Sequence, residues 1–194
     1  MKHLSEIINQ DFFYQNEWLL LGTGASLDNF NPKEHTDKNI AAIYAAGEVC
    51  RPDILFAPDT HGFIHSYNLF EKSRNVVTRA FNFDETKDLH YFEYDCDIKS
   101  ETSEGTFHGG NGKRYFPFHE PFQCSCTAKL IANFFGKAGI KKIQSFGFDG
   151  GTSIFSKAPA WYTDEYIDLV PSFENERQDM FDELGKYKIE FIRL

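Results

Sequence analysis

The stretch Glu17-Trp18-Leu19-Leu20-Leu21-Gly22-Thr23-Gly24-Ala25-Ser26-Leu27 decides how the chain is read. Its first half is apolar without alternation and stops at a glycine. A short unbroken apolar run of this kind suits a strand covered on both faces, as in a parallel sheet. Its second half places two glycines and a serine where the chain must leave that strand. Glycine allows a sharp turn, and main-chain amides there can face an anion, with the Ser26 hydroxyl as a further donor. The stretch is not a full G-x-G-x-x-G fingerprint, because position 27 is Leu, and no Lys-Ser/Thr follows as in a P-loop. The competing reading is a strand-to-helix corner that needs glycine. The position after the first buried strand favours a nucleotide-like, phosphate-bearing ligand.

Further short apolar runs follow. Residues 39–44, 53–57 and 75–80 read as strands, and 90–94 as another. Leu4, Ile7 and Ile8 within 1–16 suggest a short opening helix. Ala128, Ile131, Phe134, Phe135 and Ala138 recur at helical spacing over 127–138, with Gly139 as C-cap. A strand over 142–148 comes next, then a helix over 174–185 with Met180, Phe181 and Leu184 inward, then a closing strand over 188–192. Strand and helix alternate, which predicts an α/β fold: a Rossmann-like open, mostly parallel sheet with helices on both faces. One domain over 1–194 is expected, with an irregular glycine-bearing insertion at about 95–123 and an aromatic loop at about 150–172.

Composition narrows the function. There are 20 Lys and Arg against 29 Asp and Glu, a formal net charge of −9. Such a chain does not attract phosphate backbones in bulk, so a nucleic-acid partner is not expected. No apolar run approaches the ~20 residues needed to span a membrane, and the opening Met1-Lys2-His3-Leu4-Ser5-Glu6 does not read as a secretory signal. A cytoplasmic location is expected. Cys50, Cys96, Cys124 and Cys126 form no C-x-x-C pair, which speaks against structural zinc and for free buried thiols.

Four further pieces can carry chemistry. In Arg51-Pro52-Asp53-Ile54-Leu55-Phe56-Ala57-Pro58-Asp59-Thr60-His61, Asp59 closes a strand, where a carboxylate can hold Mg²⁺ or a ribose hydroxyl; a Pro-Asp turn is the plain alternative. Asp59, His61 and His65 resemble a fragment of a metal-hydrolase ligand set whose partner motifs are not evident, so ordinary surface histidines are the simpler reading. Gln123-Cys124-Ser125-Cys126-Thr127-Ala128 opens a helix with small residues that cap it and leave amides for an anion. Phe146-Gly147-Phe148-Asp149-Gly150-Gly151-Thr152 puts an Asp at a strand end, where it would converge with Ser26.

These pieces, in this order, resemble a superfamily that joins the small bacterial sialyltransferases to the 6-hydroxymethylpterin diphosphokinase-like proteins. The similarity lies in Gly22-Thr23-Gly24-Ala25-Ser26-Leu27, in Pro52-Asp53 through Pro58-Asp59, in Cys126-Thr127-Ala128 through Gly139 to Gly147-Phe148-Asp149, and in the closing 174–194 with Lys186-Tyr187-Lys188-Ile189. It implies that Gly22, Gly24, Ser26, Thr127 and Asp149 contact a nucleotide, with Thr23 inside the same turn. It implies a nucleotide- or nucleotide-sugar-dependent transferase, glycosyltransferase-like, acting on a small-molecule or glycan acceptor in surface-glycan or lipopolysaccharide assembly. The sialyltransferases use a general-base His in the loop before the last helix, but this chain has no histidine after His119, and that loop reads Asp168-Leu169-Val170-Pro171-Ser172. Their nucleotide-contacting asparagines are replaced near Tyr44 and Ala57. The base must then be another group: Asp59, His61 or His119. Phe155, Trp161, Tyr162 and Tyr166 are candidates to shape an acceptor pocket, with core or lid packing as the simpler role. The pterin-kinase branch implies instead a phosphoryl transfer with Mg²⁺ on Asp59. The missing histidine also fits a nucleotide-binding protein without turnover.

Overall fold

The computed structural model describes residues 2–58, 67–77, 91–93, 126–150, 153–166 and 173–194. Eight strands lie in this part of the chain: β1 (Lys2–His3), β2 (Trp18–Leu21), β3 (Asn39–Ile43), β4 (Ile54–Phe56), β5 (Asn75–Val77), β6 (Tyr91–Glu93), β7 (Lys142–Phe146) and β8 (Glu190–Arg193). They form one sheet in the order β1-β6-β5-β4-β3-β2-β7-β8. Every pairing is parallel. Strands β2 to β5 are buried at every residue, so both faces of the sheet are covered there. This is the open, parallel, Rossmann-like α/β sheet that the unbroken apolar runs predict.

The strand order matters most for function. From β2 the chain steps outward through β3, β4, β5 and β6, then crosses back to place β7 and β8 on the other side of β2. The connections that leave the carboxyl ends of β2 and β7 therefore lead to strands on opposite sides of that pair. In open α/β sheets such a switch point opens a crevice, and ligands bind there.

Four helices are described: α1 (Tyr67–Phe70), α2 (Thr127–Lys137), α3 (Ala160–Tyr166) and α4 (Phe173–Tyr187). Helix α2 opens on Cys126, whose Sγ accepts the Lys129 N–H at 3.4 Å. It ends where Gly139 takes a left-handed φ of 78°. All five residues expected inward on this helix are buried. Helices α2 and α4 meet through Asn133, whose Nδ2 donates to Glu183 Oε1 at 2.7 Å and to the Tyr187 hydroxyl at 3.0 Å. Glu183, only 2% exposed, also pairs with Lys186 at 2.6 Å. A buried carboxylate needs such partners to offset its desolvation.

The opening segment corrects an expectation. Residues 1–16 hold no α-helix among those described, but β1 and two 3₁₀ turns, Leu4–Asn9 and Asp11–Tyr14. Leu4 and Ile7 are three apart and both buried, which a three-residue repeat satisfies as well as an α-helix does. The turns deliver Phe12 and Phe13 under the sheet, where Phe13 lies 5.1 Å from Trp18 and Trp18 lies 4.9 Å from Phe135 between ring centroids. The Trp18 indole donates to the Phe13 carbonyl at 3.1 Å. Helix α3 lies inside the segment expected to be irregular. Pro159 precedes it, and its carbonyl accepts the Tyr162 and Thr163 amides at 3.0 and 3.1 Å. β7 stops at Phe146, two residues early, because Gly147 turns left-handed at φ 75°. The expected insertion at 95–123 lies outside the described residues.

Two helix glycines make opposite predictions. A Cβ at Gly136 would overlap the Tyr187 ring, whereas one at Gly185 would meet nothing within 4 Å. Gly136→Ala should destabilise by about 1–3 kcal/mol through overpacking, although alanine is the better helix former. Gly185→Ala should stabilise by about 0.5–1 kcal/mol. Urea unfolding midpoints of the two variants check both signs.

Candidate functional site

β2 and β7 run in register to Leu21 and Phe146, and the pairing continues past both strand ends. The Gly22 amide donates to the Phe146 carbonyl at 2.8 Å, and the Gly24 amide donates to the Gly147 carbonyl at 2.9 Å. The Gly147 amide donates to Ser26 Oγ at 2.8 Å. The Ser26 amide donates to Asp149 Oδ2 at 2.7 Å. The sequence-predicted residues Gly22, Gly24, Ser26 and Asp149 are thus brought together at the switch point.

Their roles differ from the simplest expectation. The amides expected to face a phosphate at Gly22, Gly24 and Ser26 are donors inside the protein. A Cβ on Gly22 would lie 2.5 Å from the Gly147 carbonyl oxygen, and one on Gly24 would lie 2.5 Å from Asp149 Oδ2. Both glycines are therefore required by the approach of one loop to the other. Asp149 also sits at the start of the 3₁₀ turn Ala25–Asn29, where its carboxylate takes the place that an external anion would occupy.

Thr23 faces another segment. Its Oγ1 lies 2.7 Å from the Tyr162 hydroxyl, and its carbonyl accepts the Phe155 amide at 3.0 Å. Gly24 forms a single antiparallel bridge with Ile154. Asp28 accepts the Ser156 amide at 2.9 and 3.0 Å and the Ser156 hydroxyl at 2.9 Å. Residues 153–166 are in this way strapped across the glycine turn. Of the aromatics considered for an acceptor pocket, Phe155 and Tyr162 are buried in the core, Trp161 is half-buried, and nothing is described of the Tyr166 side chain.

Thr127 starts α2, and its Oγ1 lies 2.9 Å from the Tyr44 hydroxyl. Tyr44 follows β3 at the carboxyl edge of the sheet, is 7% exposed and has a φ of 43°. A tyrosine in the left-handed region costs about 1–3 kcal/mol and persists only where the surroundings hold it. Such a cost at the ligand-binding edge of an α/β sheet is a functional signal. No periodicity or spacing in the sequence announces it, since φ is a property of the folded backbone.

The first turn of α4 closes the arrangement. Cys126 Sγ lies 3.8 Å from the Glu176 carbonyl oxygen, and Arg177 Nη1 donates to the Asp149 carbonyl at 3.3 Å. Burial pushes the Cys126 thiol up to about 11 and the Cys50 thiol up to about 12, so both are protonated at neutral pH and neither is a nucleophile. Burial, and then Asp179, raise the Glu176 carboxyl above the ordinary carboxylate value. Asp53 serves a structural purpose: its Oδ2 accepts the Ile40 amide at 2.9 Å at the amino edge of the sheet. Asp59, His61, His65 and His119 lie outside the described residues. Among the described residues no group of three or more His, Cys, Asp or Glu is placed to hold a metal ion, and no helix is long and apolar enough to cross a membrane.

No protein-family model matches the sequence, and no curated protein matches it. Two solved structures of the sialyltransferase CST-II align with it, each over 92% of this chain and 81% of that chain. One is a tyrosine-to-phenylalanine variant in complex with CMP, at 14% identity and a TM-score of 0.49. The other is in complex with a trisaccharide acceptor and CMP, at 12% identity and a TM-score of 0.49. The order and direction of this chain's own strands define its fold independently of that likeness.

Two outcomes follow from the geometry. Ser26→Ala leaves the Gly147 amide without its acceptor and should lower the unfolding free energy by about 1–2 kcal/mol with no ligand present; an unchanged urea midpoint would show that the loop pairing does not need it. The second concerns pH. Glu176 has a folded pKa above its unfolded value, so between the two the folded state holds more protons and stability falls as pH rises. Asp179 and Cys126 are the titratable neighbours that face it from α4 and from the start of α2. Glu176→Gln should therefore gain stability relative to the wild type as pH climbs from about 4.5, the ordinary value, and level off above the raised one. Urea midpoints measured from just below the ordinary glutamate value of 4.5 upward through neutral pH test the sign.

Proposed function

We propose that this chain is a nucleotide- or nucleotide-sugar-dependent transferase of glycosyltransferase type. The nucleotide would lie in the crevice at the carboxyl ends of β2, β3 and β7. The observation that carries this reading is that the Ser26–Asp149 interlock and the strained Tyr44–Thr127 pair both lie at the carboxyl edge of the neighbouring strands β7, β2 and β3. Neither half of that arrangement is demanded by packing a sheet, and both lie where open α/β sheets take their ligands. The order of motifs along the sequence adds the sialyltransferase-like character.

Within this reading each group has a task. The start of α2, where the Lys129 amide is held by Cys126 Sγ, offers the positive end of a helix dipole to a phosphate. Tyr44 holds the Thr127 hydroxyl in place for the same group. Asp149, with Oδ2 committed to Ser26, presents its other oxygen to a ribose hydroxyl. The interlocked turn keeps these groups in position before the ligand arrives, so less ordering accompanies binding. The acceptor hydroxyl needs a base, and Asp59, His61 and His119 are the candidates. The transfer would take place in the cytoplasm and serve surface-glycan assembly. Mg²⁺ enters only if a phosphoryl group is transferred, with Asp59 as its ligand and the charge on the phosphates as its purpose.

The test is a thermal-shift screen with CMP, CDP, UDP, GDP, ADP and ATP, each with and without Mg²⁺. A ligand that binds only the folded chain adds about 2.7 kcal/mol at a hundredfold excess over Kd. The expected outcome is a raised midpoint with CMP or CDP in the absence of metal, reduced in Thr127→Val. A shift confined to ATP with Mg²⁺ would replace glycosyl transfer by phosphoryl transfer. No shift with any nucleotide would overturn the reading. Asp59→Ala should abolish transfer while unfolding stays cooperative; retained turnover would remove Asp59 from its role.

A further inference from the structure

Arg177, the fifth residue of α4, reaches the loop that follows β7. Its Nη1 donates to the Asp149 carbonyl at 3.3 Å, and its Nη2 lies 3.5 Å from Oε1 of Glu174, a largely exposed carboxylate. Gly150 has a φ of 89°, and a Cβ there would overlap the guanidinium, so the charged group rests on bare main chain. The Arg177 side chain is only 25% exposed. A guanidinium carries five N–H donors in a rigid fork. Among the described residues only two of its nitrogens have partners, and both contacts are long for a charged group.

A cation three-quarters withdrawn from water, with most of its donors unmet among the described residues, is an expensive arrangement for a purely structural residue. Its donors match an oxyanion that accepts two parallel hydrogen bonds. The setting needs such a group. The chain carries a net charge of −9, and Asp149 adds a carboxylate beside the glycine turn at the carboxyl edge of the sheet, so an anionic ligand requires a local cation to enter. We propose that Arg177 is the fork that holds the phosphate of the ligand, with Nη1 remaining on the Asp149 carbonyl while the other donors turn to phosphate oxygens. The phosphate displaces the loose contact with Glu174. This inference rests on the nucleotide reading above, and it adds the residue that distinguishes a nucleotide from its nucleoside. Lysine would supply charge without the fork, so Arg177→Lys separates the two contributions.

The experiment is calorimetric titration of the full chain and of Arg177→Gln and Arg177→Lys with inorganic pyrophosphate, CMP and cytidine, after thermal unfolding has shown each variant folded. Arg177→Gln should lose about tenfold or more in affinity for pyrophosphate and CMP, the scale of one charged hydrogen-bonded contact, with cytidine binding unchanged. Arg177→Lys should recover part of the loss. CMP and pyrophosphate bound equally by wild type and Arg177→Gln would overturn the role of Arg177 and leave the nucleotide reading standing. Arg177-dependent pyrophosphate binding without binding of CMP or cytidine would keep the fork and count against a cytidine nucleotide as its ligand. A wild-type chain that binds neither pyrophosphate nor CMP would overturn both.

Discussion

Two loops from adjacent parallel strands approach so closely at the carboxyl edge of this sheet that neither could carry a side chain at the point of contact. Gly22 and Gly24 face the Gly147 carbonyl and the Asp149 carboxylate at distances that leave no room for a Cβ. The hydrogen bonds among Gly22, Phe146, Gly24, Gly147, Ser26 and Asp149 continue the β2–β7 pairing beyond the strands themselves. Loops leaving a switch point normally diverge. Here they are sewn together for several residues by main-chain and side-chain hydrogen bonds.

The rest of the edge is built onto that join. The strap at 153–166 docks on the glycine turn through the Gly24–Ile154 bridge, the Thr23 contacts and the Asp28–Ser156 clamp. The start of α4 reaches the join through Arg177 and reaches α2 through Cys126. Beneath the opposite end of the sheet, the aromatic cluster of Phe13, Trp18, Phe134 and Phe135 supplies apolar burial. Polar contacts serve other parts of the fold as well, as in the Asp53–Ile40 bond at the amino edge and the Asn133–Glu183 bond between α2 and α4. The carboxyl edge also holds the left-handed Tyr44, a group that costs stability.

Much of this could be read before folding. Unbroken apolar runs at 18–21, 39–43 and 54–56 mark buried parallel strands, because a strand covered on both faces has no polar side to alternate with. The helical repeat from Ala128 to Ala138 survives as α2 because a helix buried against a sheet keeps its apolar stripe. The opening segment misleads, since residues three apart serve a 3₁₀ turn and an α-helix alike. Helix α3 is masked by its aromatics, which read as loop composition until Pro159 is seen to start it.

The sequence by itself determined the class of sheet and the succession of its strands from β2 to β8, because these follow from local periodicity, and it marked the turn at Gly22–Ser26 and the strand-end Asp149, because these follow from where glycine is tolerated. Only the tertiary structure decided what those residues do. It directed the turn amides to Phe146, Gly147 and Asp149, set Tyr44 in a strained conformation opposite Thr127, and carried Arg177 across from a helix 28 residues further on to the Asp149 carbonyl. Such roles depend on which loops meet across neighbouring strands. That is fixed by the packing of elements far apart in the chain, which no local pattern encodes.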